Sequence, residues 1–300
     1  MILLKNIQLR HSIYFLTLAI LFSWPIFFIV DAWIFPNLMK DGEFTKALFF
    51  ILGSHVLGMF APAIASTIVL KIILKSRLPA WKWGRSKHYF YGFIFMSSVW
   101  LLPAFLGFFI SSFHFQTSII TFQLIYMGVY IGTVWFASMG EEMGWCGFLL
   151  SYLSPQFGKT RALIISGIYR GIWHFPILIS PLLYKVIIGE QSVFALFLLS
   201  LVFILQLIVS NVFFSSLFGY LWYETESIPL LGWFHFLYDL MRDFSMFFII
   251  GFAGSYLGKF GWAILFYGAA YYCLDITMRK EEINNIFKFI FNKKFIRTTH

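Results

Sequence analysis

From Ile119 to Met139 the chain carries no charged side chain, and Glu141 and Glu142 follow almost at once. An uncharged apolar run of about 20 residues is long enough to cross the hydrocarbon core of a bilayer as a helix. In lipid, every backbone N–H and C=O must be satisfied within the protein, which leaves helices and closed barrels as the spanning folds. Further runs of this kind recur along the sequence, and the ten-residue alternation of a barrel is absent. The chain therefore reads as all-α: a polytopic transmembrane helical bundle of about eight spans in the cell membrane. Only 12% of its 300 residues are charged, against about 25% in a soluble domain.

Charge then sets the topology. The net charge of +9 does not point to nucleic acid, because the basic residues gather in short loops and in the tail, where they fix orientation and touch anionic lipid. Lys75, Arg77, Lys82, Arg85 and Lys87 follow one another with no acid among them, which places this loop in the cytoplasm. The uncharged loop 111–118 belongs outside. Spans are expected at 12–30, 47–74, 89–110, 119–153, 161–175, 193–221, from 227, and at 260–277. Asp31 falls in a charged loop after the first of them, and both termini fall in the cytoplasm. Residues 279–300, basic and interleaved with Ile283, Ile286, Phe287, Ile290 and Phe291, read as an interfacial amphipathic tail. Cys146 and Cys273 are the two cysteines, too few and too far apart for a disulfide framework or a cysteine zinc site.

Against this background, the intramembrane acids and histidines are the candidates for function. The turn 154–160 makes the fourth and fifth helices antiparallel neighbours. With a rise of 1.5 Å per residue, Glu141 stands about 18 Å above Leu153 and His174 about 20 Å above Arg161; His235 stands about 12 Å above Ser227 and Asp239 about 18 Å. The four fall at one level, and His235 and Asp239, at i and i+4, share a helix face. A carboxylate and two imidazoles, without a serine or cysteine nucleophile beside them, suit hydrolysis by activated water: the acid takes the proton and the histidines orient the water and stabilise charge on the carbonyl oxygen. The same inventory could hold zinc with an open position, although no HExxH helix is present.

Three segments carry a family resemblance. Glu141-Glu142-Met143-Gly144-Trp145-Cys146 resembles the EExxxR motif of the CPBP intramembrane proteases, the family of the type II CAAX prenyl proteases and of the bacterial Abi group linked to bacteriocin immunity and peptide maturation. Tyr169-Arg170-Gly171-Ile172-Trp173-His174 resembles the second motif, an aromatic residue followed four positions later by histidine. His235-Phe236-Leu237-Tyr238-Asp239 resembles the third, HxxxN or HxxxD, and Phe60–Ala65 resembles an upstream segment of the family. The resemblance implies one membrane-embedded protease-like domain over 1–278 with its motif core at 119–245. It implies Glu141 as catalytic base, His174 as its partner on the water, and His235 and Asp239 around the oxyanion, with Glu142 in a structural pair. The substrate would be a membrane-associated peptide: a prenylated C-terminus, a leader or a bacteriocin-like peptide.

Two positions depart from the pattern. Cys146 stands where the first motif has arginine, and Arg170 stands where the second has its aromatic residue. Arg170 mirrors Gly144 across the turn, so its guanidinium is expected beside Glu142, making the two departures one compensated exchange. Glu142, Arg170 and Cys146 are thus the expected structural support. Asp239, if ionised, cannot donate to an oxyanion. Other readings share these residues: a zinc-dependent form of the same protease, or a non-catalytic relative serving as scaffold, immunity protein or transporter. The leading reading needs no cofactor and names anionic lipid, through 75–87 and 279–300, as a partner beside the peptide.

Overall fold

The computed structural model describes residues 2–77, 81–109, 114–115, 120–250 and 256–296. Nearly all of them are helical. Helix α1 (Ile2–Ile29) passes through a π-helical turn, Val30–Ile34, into α2 (Phe35–Lys40), and α3 (Phe44–Met59) returns to α4 (Ala61–Ile68). Next come α5 (Ser86–Phe109) and α6 (Ile120–Glu142), which runs without a loop through the π-helical segment Met143–Leu150 into α7 (Ser151–Phe157). The chain reverses at Gly158, whose φ of 84° lies in the left-handed region that glycine enters at little cost. Helices α8 (Lys159–Trp173) and α9 (Phe175–Ile187) climb back, followed by α10 (Val193–Thr225), α11 (Ile228–Phe248) and α12 (Tyr256–Ile296). A two-residue antiparallel bridge joins β1 (His114–Phe115) to β2 (Ile249–Ile250).

Five helical stretches are long and apolar enough to cross a membrane: Leu9–Lys40, Thr45–Ile73, Ser86–Phe109, Lys159–Ile187 and Val193–Thr225. The other expected helices exist as α6–α7, α11 and α12. Three boundaries differ from the sequence reading. The first helix does not stop at residue 30, because the π turn carries it past Asp31, which is buried and faces Ser54 and His55 at 3.4 and 3.3 Å. The helix expected to end at 175 continues to Ile187, since Pro176 falls at the start of α9, where its missing N–H costs nothing. The last span and the tail are one helix. The side chains from residue 284 onward, most of the loop 111–118 and residues 78–80 lie outside the described residues.

Close helix approach is made by residues without side chains. Gly167 and Gly171, one turn apart on α8, lie against the backbone of α10 at Val212 and Ile208. Gly144 meets the backbone of Pro62, and Gly232 on α11 meets that of Met139 on α6. Small residues at such crossings let backbones pack where lipid supplies no hydrophobic drive. Glu281 on α12 accepts hydrogen bonds from the backbone N–H groups of Lys159 and Thr160, both at 3.1 Å, capping two of the free donors at the start of α8.

Candidate active site

The two glutamates are the last residues of α6, where the α-helix gives way to the π segment. Single π turns inside α-helices are frequent at functional sites. Glu142 is fully enclosed and fully occupied. Its Oε1 accepts from Arg170 Nη2 at 2.6 Å and from His235 Nδ1 at 2.9 Å, and its Oε2 accepts from the Cys146 thiol at 3.1 Å. Residues of three elements thus close on one carboxylate, and the cysteine in the arginine position serves as a third donor. Arg170 is itself buried, with its guanidinium carbon 4.8 Å from the centre of the Phe214 ring and 5.6 Å from that of Trp145. Such faces attract a cation.

Glu141, the neighbouring residue, is as deeply buried at 1% exposure but differently served. Its Oε2 has no hydrogen-bond partner among the described residues. The nearest positive groups, Arg170 Nη2 and His235 Nδ1, both stand at 3.8 Å, beyond hydrogen-bond length. A buried carboxylate oxygen left without a donor is costly and calls for an explanation.

His235 links the two acids to a further ion cluster. While Nδ1 donates to Glu142, Nε2 lies 3.5 Å from Asp239 Oδ2. Asp239 Oδ1 in turn accepts from Arg242 Nη1 at 2.8 Å, and Arg242 Nε donates to Asp243 at 2.7 Å. The rings of Phe214 and Phe218 pack edge-on against the imidazole at 5.1 and 5.7 Å.

His174 stands at the junction of α8 and α9. Its Nδ1 donates to the carbonyl oxygen of Arg170 at 2.8 Å, and its ring sits edge-on to Trp173 at 4.7 Å. That bond fixes the hydrogen on Nδ1 and leaves Nε2 free to meet another group. His174 is half-buried.

The structure therefore joins Glu142 directly to Arg170, Cys146 and His235, with Glu141 3.8 Å from the arginine and the histidine and Asp239 behind His235. His174 makes its described contacts with the Arg170 carbonyl and Trp173, not with Glu141. The sequence reading does not single out Arg242. Its position three residues after Asp239, on the same helix face, was the available signal. The aromatic walls, Trp145 and Phe214, were lost among 40 phenylalanines and 11 tryptophans.

The donor set does not suit zinc. Ligand atoms of Glu141, Glu142 and His235 lie within 4.8 Å of one another. However, the Arg170 guanidinium already occupies the cation position on Glu142, and His235 Nδ1 is spent on the same carboxylate. A metal ion there would face a buried positive charge and would have to displace both bonds.

Fold and site together define a helical membrane protein with a buried acid–imidazole–guanidinium centre. Residues 123–241 match the family described as type II CAAX prenyl endopeptidase Rce1-like. Among curated proteins, the chain is similar to CAAX prenyl protease 2 of Methanococcus maripaludis, at 33% identity over 57 residues, or 19% of this chain and 21% of the relative. The chain thus matches about a fifth of that relative's length. The matched family segment contains all three motifs, from Glu141 to Asp239, and bears out the resemblance read from them.

Proposed function

We propose that the protein is an intramembrane endopeptidase that hydrolyses a membrane-associated peptide with a water molecule activated by Glu141. The observation that carries this reading is the unequal treatment of two adjacent carboxylates. Glu142 is saturated by Arg170, His235 and Cys146, so it is spent on architecture. Glu141 keeps an oxygen without a donor, 3.8 Å from two positive groups. A base must have a free lone pair within reach of water.

In the proposed reaction, Glu141 takes a proton from water as the water oxygen bonds to the scissile carbonyl carbon. The carbonyl π pair moves onto its oxygen. Collapse re-forms the C=O bond and breaks the C–N bond, while the proton on Glu141 passes to the leaving nitrogen. His174 orients the water through Nε2, and His235, held between Glu142 and Asp239, stabilises the developing charge. The relative's name suggests a prenylated C-terminal peptide as the substrate class. The topology we assign has eight spans and cytoplasmic termini, with anionic lipid against the basic loop 75–87 and the tail 279–300.

The test is purified protein in vesicles with a panel of peptides, including a farnesylated cysteine peptide with an aliphatic C-terminal tripeptide, and mass spectrometry of products. Cleavage that disappears in Glu141→Gln and His174→Ala at unchanged protein level supports the reading. An intact panel rejects it in favour of a scaffold, immunity protein or transporter, and cleavage that persists in Glu141→Gln rejects Glu141 as the base.

A further inference from the structure

We infer that Trp24 is the positioning residue for His174, holding through its indole N–H the peptide plane from which the imidazole projects; this rests on the endopeptidase reading above, in which His174 orients the water. Trp24 lies on α1, outside the family-matched segment 123–241. Its Nε1 donates to the carbonyl oxygen of Trp173 at 3.0 Å, across 149 residues of sequence. That carbonyl and the N–H of His174 belong to one peptide unit, and a peptide unit is planar. The His174 N–H is itself bound, to the Arg170 carbonyl at 3.1 Å. One plane is therefore held at both ends, by α8 on one side and by α1 on the other.

This is where a clamp is needed. Helix α8 ends at Trp173 and α9 begins at Phe175. Pro176 brings no N–H to the ladder that would join them, and the last carbonyls of a helix need partners from elsewhere. The imidazole Nδ1 also donates to the Arg170 carbonyl, at 2.8 Å, so the direction of the free Nε2 follows the backbone at 174. Helix α1 grips both neighbours of that backbone. The Phe27 ring stands edge-on to Trp173 at 5.6 Å, and the Trp24 ring centre lies 6.3 Å from that of Phe175. Trp173 in turn stands edge-on to His174 at 4.7 Å. Loss of the indole N–H frees the carbonyl end of the plane, so the ring of His174 can tilt and Nε2 leaves the water. A misplacement of about 1 Å by a change away from the chemistry can cost about 10²-fold in rate.

The test replaces Trp24 in the full chain by 3-benzothienylalanine, the same bicycle with sulfur in place of the N–H, and separately by 5-fluorotryptophan, which keeps the N–H. On the panel peptide that the wild-type protein cleaves in vesicles, the sulfur isostere is expected to lower kcat per folded molecule by about 10–10²-fold, with KM changed by less than about threefold. The fluorinated indole is expected to keep the wild-type kcat. The second readout is the nitrogen-15 spectrum of the His174 imidazole, assigned by its absence in His174→Ala. Wild-type protein is expected to show one tautomer, with hydrogen on Nδ1, and the isostere a mixture of two. A general packing role moves the unfolding temperature and leaves both readouts where they were. An unchanged kcat in the isostere overturns the inference. So does an equal loss in 5-fluorotryptophan protein, or a lowered kcat with the His174 signal unmoved. Should the isostere fail to fold, Trp24→Phe is read by the same two measurements, and the 5-fluorotryptophan protein still has to keep its kcat. Wild-type protein that cleaves nothing ends the endopeptidase reading and this inference with it. Cleavage lost in Glu141→Gln and His174→Ala but untouched in the isostere ends this inference alone.

Discussion

Arg170 Nη2 and Glu142 Oε1 meet at 2.6 Å across 28 residues of sequence, with both side chains buried. The contact places on α8 the charge that the EExxxR pattern keeps one turn along the glutamate's own helix. Cys146, left in the arginine's place, donates to the same carboxylate at 3.1 Å. The ion pair that the motif resemblance implies within one helix is made here between two.

That relocation can be reversed by mutation. Arg170→Trp leaves Glu142 buried without its cation, which costs about 3–5 kcal/mol when one partner of a buried pair is removed. It should lower the unfolding temperature in detergent and the yield of folded protein. Adding Cys146→Arg should restore most of both. A double variant no more stable than Arg170→Trp would show that the two positions are not exchangeable.

The adjacent glutamates should separate activity from stability. Glu141→Gln removes no hydrogen bond described here, so its unfolding temperature should stay within a few degrees of wild type while turnover falls by about 10²–10⁴-fold. Glu142→Gln breaks the charge pairing with Arg170 and leaves that guanidinium buried, so its first effect should be on folding. Thermal melts and turnover per folded molecule, measured side by side, distinguish the two.

Metal removal gives a third outcome. Because Arg170 already occupies the cation position on Glu142, peptide cleavage should survive strong chelation, and metal analysis of active protein should find no stoichiometric zinc. Activity lost to a chelator and restored by zinc would show that the buried pair opens to admit an ion.

Gly144 offers a purely steric test. A side chain there would overlap the backbone of Pro62, which cannot move aside as a flexible side chain can. Gly144→Val should cost more than the roughly 1–3 kcal/mol of ordinary overpacking and disturb the π segment beside Glu142. The melt should shift down, with activity falling in proportion to folded protein.

The approach of Arg170 to Glu142, and of His235 to the pair of glutamates, was legible in the sequence because helix rise and a short turn fix depth, and depth needs no knowledge of side-chain direction. Rotation about each helix was not legible. The π segment after Glu142 changes which residues share a face, so the contact of His235 with Glu142 rather than Glu141 could not be read from spacing. Asp31 failed for a related reason: a charge after an apolar run suggests a loop, but a π turn kept it in the helix and turned it toward His55. His174 sits at a helix junction whose bend is a tertiary outcome. Of the charged residues after 275, which suggested an ending, Lys280 pairs with Glu224 on α10 at 2.7 Å and Glu281 with the start of α8, while Arg279 pairs with Asp275 on its own helix.

The carboxylate of Glu281 has a practical consequence. It grips the opening amides of the helix whose opposite end bears Arg170 and His174, so the C-terminal arm is mechanically part of the centre. Shortening the chain ahead of that glutamate, or anchoring it there to a surface, would loosen the helix at its root. An assay of such a trimmed protein would report on a different geometry.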